Sequence, residues 1–554
     1  MSTERRAVGS GQWAVGVRGA TAYCLLATAA FALVALRPSA QTQQPAADDR
    51  GRAVYVKWCA GCHGDQGRGD GPAARHLLPR PRDFTRAVYQ IRTTANGELP
   101  RGADLRRVVD DGMPGTSMPG WRATLSGQDR EAVVRYVRSF STAFAGTEPA
   151  ALDFGGDPGG AQAAIDSGRA LYRGIECWKC HGDAGRGDGP SAPRLEDDWN
   201  FPIRAANLTE NWLFNGGGDV QDIYRRLLTG LDGTPMPSFT STVEGGQYTF
   251  ADLWRIAHYV RSLSPEDPPR PADVVRAALV AALPAAPDDS AWAAVDRFWV
   301  PLAGQVIVRP RWFAPTVSGV WVQAVHDGGS LVLRVSWTDP SESPDSTWNP
   351  WRSRVATHMA HDDSAAAADP APRPDRVVVQ FPMRVPTGMD RPYFLAGSPD
   401  EAVYLWQWES APRAAVEATA RGLDAVSPLA AASDSLRAAA VYDRGEWRVQ
   451  FTRSLTTADS TDRLQFATGR AIPMALFAWD GSNGEAGTRG AVGSWISIYL
   501  AEPGGAGTFV WPLVMTLATA GLVLVVIRRA QHAARAAGTA GQSTIRTPDT
   551  AEAV

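Results

Sequence analysis

A short pattern, Cys-x-x-Cys-His, occurs twice in this chain, and its surroundings repeat with it. The first copy reads Cys59-Ala-Gly-Cys62-His63-Gly-Asp-Gln-Gly-Arg-Gly-Asp-Gly-Pro72. The second reads Cys177-Trp-Lys-Cys180-His181-Gly-Asp-Ala-Gly-Arg-Gly-Asp-Gly-Pro190, 118 residues later. Gly115-Thr-Ser-Met118-Pro119 and Gly233-Thr-Pro-Met236-Pro237 follow at the same offset. Each copy closes on a helical pattern, Glu131–Phe140 and Asp252–Leu263. Ser126 with Asp129, and Thr249 with Asp252, have the spacing of a helix-capping box at the starts of those helices.

The chemistry follows from the spacing. Cys-x-x-Cys-His is the attachment pattern of c-type haem, in which both thiols form thioethers and the adjacent histidine becomes the proximal iron ligand. A redox dithiol has no need of the following histidine in both copies, and a zinc site needs further Cys or His ligands that neither copy supplies. Met118 and Met236 each lie 55 positions after their histidine, His63 and His181. They are the expected sixth ligands, each stiffened by a following proline. Met113 has no methionine counterpart in the second copy and is read as a packing residue, with ligation in place of Met118 as the alternative. His76 and His258 also lack partners and are read as surface or core histidines. Over 47–145 and 163–265 these residues resemble class I cytochrome c domains. The resemblance implies small all-α folds, each wrapped around one covalent haem c. His/Met ligation raises the reduction potential relative to histidine alone. Two protein ligands also leave the iron no open position, which favours an electron carrier over a haem catalyst.

With 554 residues the chain exceeds one core and fits about three to four domains. A net charge of -3 offers no basic face for nucleic acid. Five cysteines in a chain of this size exclude a disulfide-stapled scaffold. Arg5, Arg6 and Arg18 precede an apolar stretch from Gly19 to Leu36. Residues 1–40 therefore read as a secretory signal, with an uncleaved N-terminal anchor as the alternative. Cys24 lies in this stretch and is expected to be inert. Residues 508–527 are uncharged and long enough to cross a bilayer, and Arg528-Arg529 follow. The positive-inside rule puts 528–554 in the cytoplasm and the haem domains on the periplasmic side of the cytoplasmic membrane.

Residues 265–287 read as a proline- and alanine-rich connection with one short helix. Beyond it the pattern alternates. Leu331–Trp337, Arg376–Phe381, Ala402–Trp408, Glu446–Phe451, Ala475–Trp479 and Ser494–Leu500 read as strands, which implies an all-β sandwich over 290–505. Twelve of the 20 tryptophans fall between 292 and 495, where core packing accounts for them better than a ligand platform does.

The motifs Trp337-Thr-Asp339, Asp375–Pro382, Pro392-Tyr-Phe-Leu-Ala-Gly397, Val403–Trp408, Trp447–Arg453, Ala478-Trp-Asp-Gly481 and Ser494-Trp495 carry a second resemblance. They are similar to the haem-binding γ subunit of ethylbenzene dehydrogenase-type molybdoenzymes. That family includes the corresponding subunits of dimethylsulfide dehydrogenase, selenate and chlorate reductases, and nitrite oxidoreductase. The resemblance implies a sandwich that binds haem b and exchanges electrons with an iron–sulfur subunit. The family's haem b ligands are a methionine and a lysine. Here the first position is Ala396, and the chain has no lysine after Lys179, Arg489 being the nearest basic residue to the second position. Alanine has no lone pair and arginine stays protonated, so haem b in 290–505 is not expected in the family's manner. Met383, Met389, His326, His358 and His361 are not carried over as ligands, and His358-Met-Ala-His361 reads as a solvated loop.

The expected protein is thus a membrane-anchored dihaem cytochrome, not an enzyme on its own. It would link a molybdoenzyme with catalytic and iron–sulfur subunits to quinone-linked or cytochrome partners of a respiratory chain. Two other readings compete: a small-ligand or carbohydrate-binding module fused to relay cytochromes, and a haem enzyme with an open iron site.

Overall fold

The computed structural model describes residues 47–359, 371–388, 390–431, 436–502 and 507–540. The expected signal segment 1–40 and the residues His361 and Met389 lie outside the described residues. Two helical units come first. The first contains α1 (Ala47–Trp58), α2 (Ala60–His63), α3 (Gly102–Asp111) and α4 (Gly127–Arg138). The second contains α5 (Gln162–Gly174), α6 (Trp178–His181), α7 (Val220–Thr229), α8 (Thr240–Glu244) and α9 (Phe250–Ser262). The closing helices start at the expected caps. Ser126 Oγ accepts from the Asp129 backbone N–H at 3.1 Å, and Thr249 Oγ1 accepts from that of Asp252 at 3.2 Å. Leu253, Ile256, Ala257 and Val260 then form one buried stripe along α9, as i, i+3, i+4, i+7 spacing requires.

The first and last helices of each unit cross where one of them carries a glycine. A Cβ on Gly51 of α1 would strike the carbonyl oxygen of Ala132 in α4, and one on Gly168 of α5 would strike that of Arg255 in α9. Backbone meets backbone at both crossings, so neither neighbour can swing aside.

The third unit is built mainly of β-strands, with an α-helix between β5 and β6. Its strands are β1 (Val274–Leu279), β2 (Phe298–Pro301), β3 (Ala303–Gly304), β4 (Gly319–His326), β5 (Ser330–Thr338), β6 (Arg376–Pro382) and β7 (Val403–Glu409). They continue with β8 (Ala414–Ala420), β9 (Val426–Pro428), β10 (Arg437–Tyr442), β11 (Glu446–Ser454), β12 (Ala471–Trp479), β13 (Ala491–Val492) and β14 (Ile496–Leu500). The path runs β10-β11-β5-β4-β1-β14-β12-β6-β7-β8-β9. Strand β12 joins two layers: Ala471–Met474 pair with β14, and Ala475–Trp479 pair with β6. Between the layers lies one apolar core. Trp337 and Trp447 from one layer meet Trp408 from the other, with Trp408 and Trp447 ring centroids 4.9 Å apart. Trp406 packs 5.0 Å from Phe381 and 5.5 Å from Phe466. The tryptophans are mainly core, as expected.

The connection 265–287 differs from its reading. Its Val-Val-Arg-Ala-Ala-Leu run is β1, not a helix, and it lies parallel to both β4 and β14. Val275 and Ala277 are fully buried between those neighbours, so tertiary pairing overrides the helical preference of alanine. The sheet unit therefore begins upstream of residue 290. After β5 comes α10 (Asn349–Met359), where a loop was expected around His358. The chain ends in α11 (Gly507–Ala540), of which Val510–Ala536 is long and apolar enough to cross a membrane and is not buried against the protein. The helix continues past Arg528 and Arg529, so the first part of the expected tail is helical.

Replacing Gly168 by alanine sets two effects against each other. Helix propensity favours alanine by up to about 1 kcal/mol, whereas forcing the α5–α9 crossing apart costs about 1–3 kcal/mol. Gly168→Ala is therefore expected to destabilise the second helical unit, read as an earlier Soret-detected urea transition.

Candidate functional site: two Cys-x-x-Cys-His centres

In the first copy the chain leaves α1 at Trp58 and turns once through α2. The N–H groups of Cys62 and His63 both donate to the Cys59 carbonyl, at 3.1 and 2.9 Å. One helical turn thereby gathers Cys59, Cys62 and His63, spaced i, i+3 and i+4, on one side. His63 Nδ1 lies 3.0 Å from the Arg82 carbonyl oxygen, and donation to it leaves Nε2 free to face a ligand. The imidazole stacks on Phe84 at 4.4 Å, and burial holds it below the ordinary histidine pKa, so it is neutral. Tyr55 Oη ties the turn down by donating to the Gly64 carbonyl at 2.7 Å.

The second copy reproduces each bond. His181 N–H donates to the Cys177 carbonyl at 3.0 Å, and His181 Nδ1 lies 2.9 Å from the Ala206 carbonyl oxygen. Tyr172 Oη donates to the Gly182 carbonyl at 2.7 Å. Burial likewise lowers the His181 pKa. It also pushes the Cys59 and Cys177 thiols up to about 12.

The methionine loops match as well. Met118 N–H donates to Thr116 Oγ1 at 3.1 Å, and Met113 N–H donates to the Met118 carbonyl at 3.0 Å. In the other copy Met236 N–H donates to Thr234 Oγ1 at 3.2 Å, and Leu231 N–H donates to the Met236 carbonyl at 3.1 Å. Leu231 thus occupies the place of Met113, where any apolar residue serves. His258 is accounted for by Asp157, 2.7 Å from its Nε2, and His76 packs 4.8 Å from Phe313.

Cys177, Cys180, His181 and Met236 line one cavity of about 880 Å³. That size lies within the range of about 300–1,000 Å³ typical of cofactor sites, and the donor set fits a covalently held haem. Leu78 and Gly115 of the first unit and Thr316, Val317 and Trp351 of the sheet unit complete its wall. Several charged residues here were not legible in the sequence. Burial lowers the Arg226 pKa to about 10, while its guanidinium donates to the carbonyls of Asn215 and Gly217. Burial raises Glu210 to about 7, despite hydrogen bonds from Asn207 and Ser318. Arg204 lies over Trp351, its centroid 4.6 Å away, and donates to Asn483 Oδ1 at 3.1 Å.

Behind Arg204 the carboxylates of Asp339, Asp375 and Asp480 converge, their oxygens within 4.8 Å of one another. All three are fully buried, and burial raises Asp339 and Asp375 well above the usual carboxylate range. Arg204 reaches Asp480 Oδ2 at 3.5 Å.

The sheet unit offers no match to haem b ligation at the expected positions. Ala396 is 3% exposed in an apolar cluster with Val378, Leu405 and Phe477, and its N–H donates to Gln380 Oε1 at 3.0 Å. His326 is buried on β4, Met383 packs against the core, and His358 lies in α10 with its ring 4.8 Å from Phe201.

Comparison with known proteins places this geometry. Residues 46–137 match the family described as cytochrome c oxidase, cbb3-type, subunit III, and residues 165–264 match cytochrome c. A protein of Haloferax mediterranei named as a respiratory nitrate reductase heme subunit, ORF7, is 25% identical over 268 residues, covering 47% of this chain and 86% of that protein. A chain of the Kuenenia stuttgartiensis reducing HAO-like protein complex is 42% identical, with coverage of 39% of this chain and 96% of that one and a TM-score of 0.37. A carbohydrate binding module of family 9 from Caldicellulosiruptor kristjanssonii, solved with glucose, is 10% identical, with coverage of 42% and 97% and a TM-score of 0.23. The two repeated units of this chain are cytochrome c-type domains, set ahead of a large β-sheet domain and an apolar C-terminal helix.

Proposed function

We propose that the chain is a membrane-anchored dihaem c-type cytochrome, the electron-transfer subunit of a respiratory oxidoreductase and not itself an enzyme. The observation that carries this reading is the duplicated Cys-x-x-Cys-His turn, each copy with its histidine Nδ1 held by a carbonyl and its own methionine loop. Cys59 and Cys62, and Cys177 and Cys180, hold the two haems as thioethers. His63 with Met118, and His181 with Met236, bind the irons. The haem supplies reversible one-electron chemistry when bound. The protein orients the imidazoles through Arg82 and Ala206 and walls the second cavity with three domains.

The partner is a molybdoenzyme with an iron–sulfur subunit, and the sheet domain docks the cytochromes onto it. The sequence motifs of 300–502 support that choice, and the relative named as a nitrate reductase heme subunit supports a respiratory redox partner. On the other side, electrons pass to or from quinone-linked or cytochrome carriers. The helix within 507–540 anchors the chain, with the haem domains on the periplasmic side and Arg528-Arg529 facing the cytoplasm.

A pyridine haemochrome assay on the purified full chain is expected to give two c-type haems and no b-type haem. Any b haem would overturn the reading of Ala396. Met118→Leu is expected to lower the potential of one haem and abolish its methionine-to-iron charge-transfer band. Met113→Leu, which installs the residue found at 231, leaves both unchanged in spectroelectrochemical titration. Purification from a native membrane is expected to bring molybdenum and iron–sulfur subunits with the chain, and their absence would sink the partner assignment.

A further inference from the structure

Three polar side chains meet at the seam between the two cytochrome domains without partners. The Tyr89 hydroxyl and the Trp199 indole N–H are both shielded from solvent, and neither makes a hydrogen bond. The Arg82 guanidinium lies over the Trp199 ring, 4.9 Å from its centroid. Among the described residues no carboxylate comes within ion-pair distance of it, and Asp83, Asp197 and Asp198 act on it only at longer range. Burial costs Arg82 part of its proton affinity, so an acceptor would find it poorly hydrated and unspent.

The three groups belong beside the first Cys-x-x-Cys-His centre. Arg82 supplies the carbonyl that holds His63 Nδ1. Tyr89 stacks on Phe84 at 6.3 Å, and Phe84 stacks on His63. Trp199 comes from the second domain. It is wedged against Gly233, where a Cβ would fall 2.7 Å from the indole and 3.3 Å from Arg82 Nη1. Gly233 opens the loop that carries Met236.

The second copy lacks the corresponding donors. Ala206 stands where Arg82 does, since its carbonyl holds His181. Phe84 and Leu208 correspond through their N–H bonds to Gly67 and Gly185, and five residues on Tyr89 is answered by Leu213. A cytochrome domain therefore folds without these donors, and their placement needs another explanation. Buried, unpaired N–H and O–H groups with one cation call for an anion rich in oxygen. A covalently attached haem brings two carboxylates.

We propose that the carboxylates of the haem at Cys59–Cys62 lie in this seam, held by Arg82 and Tyr89 from their own domain and by Trp199 from the other. The inference rests on the reading that this centre carries haem c. Arg82 then stabilises the reduced haem, whose net charge is one unit less positive. One indole spans from the carboxylates of the first haem to the methionine loop of the second.

The test is a spectroelectrochemical titration of the full-length chain. Met118→His and Met236→His first assign the two potentials, because each lowers that of its own haem. Arg82→Gln is expected to lower the potential of the first haem and leave the second unmoved. Arg82→Lys restores most of the shift by returning the charge. Trp199→Phe, which keeps the ring and removes the donor, lowers the same potential from the neighbouring domain. Unmoved potentials in Arg82→Gln and Trp199→Phe, or a shift of the second haem instead, would overturn the clamp. Haem content separates the two levels. A chain without haem at Cys59–Cys62 overturns the functional reading, whereas two haems with unmoved potentials overturn only the clamp.

Discussion

One hydrogen bond organises each Cys-x-x-Cys-His centre: the histidine Nδ1–H donates to a backbone carbonyl. It selects the tautomer, leaving Nε2 with a lone pair, and it fixes the plane of the ring. The rest of each domain keeps that carbonyl in place. Gly69 and Gly187 let the following loop pass close to the carbonyls of Pro81 and Ala205, one residue before the acceptors. The crossings at Gly51 and Gly168 then close the helices over the turn. Nothing in this arrangement depends on long-range charge, which is why two copies with different surroundings keep the same local geometry.

Charge enters where the domains meet. Arg92, with a fully buried side chain, donates from the first cytochrome domain to the Thr229 carbonyl and to Asp232 of the second, at 2.6 and 2.7 Å. Arg107 adds a two-toothed pair with Asp222, which is directional as well as attractive. Toward the sheet, Arg204 faces the buried aspartates and Arg186 pairs with Glu446 at 3.1 Å. Buried charges of this kind are costly when alone, so each seam favours one relative placement of its domains. The second cavity depends on that placement, because all three domains contribute to its wall.

What the sequence disclosed follows from how local each signal is. The cysteines and histidines lie within one helical turn, so spacing alone names their chemistry. The methionines were picked out as candidate ligands because the repeat supplied a second measurement of the same distance. Strands with clear alternation, such as the one read as Glu446–Phe451 and observed as Glu446–Ser454, were visible because alternation is a local signal. Strand β1 was not, because Val-Val-Arg-Ala-Ala-Leu has no apolar–polar alternation in sequence, and only its pairing with β4 and β14 sets Val275 and Ala277 inside. Tyr89, Trp199, Arg204 and Glu210 take their meaning from residues far away in the chain, and no spacing rule reaches that distance. Asp339, Asp375 and Asp480 were noticed as parts of separate motifs, but only the fold brings their oxygens together.

The parallel pairing of β1 with β14 sets where the chain enters and leaves the sheet domain. The chain arrives from the cytochromes at Val274 and departs toward the apolar helix at Leu500, and Val274 lies beside Ser497. Entry and exit are therefore at opposite ends of the sheet. Contacts with the second cytochrome domain gather at the entry end, through Thr338 at the finish of β5, Glu446 at the start of β11 and Asn483 after β12. The nine-residue β5 measures about 30 Å at about 3.3 Å per residue. If α11 lies in a bilayer, the chain leaves for it from the end of the sheet opposite the contacts with the second cytochrome domain, so the length of a strand separates those two attachments along the sheet.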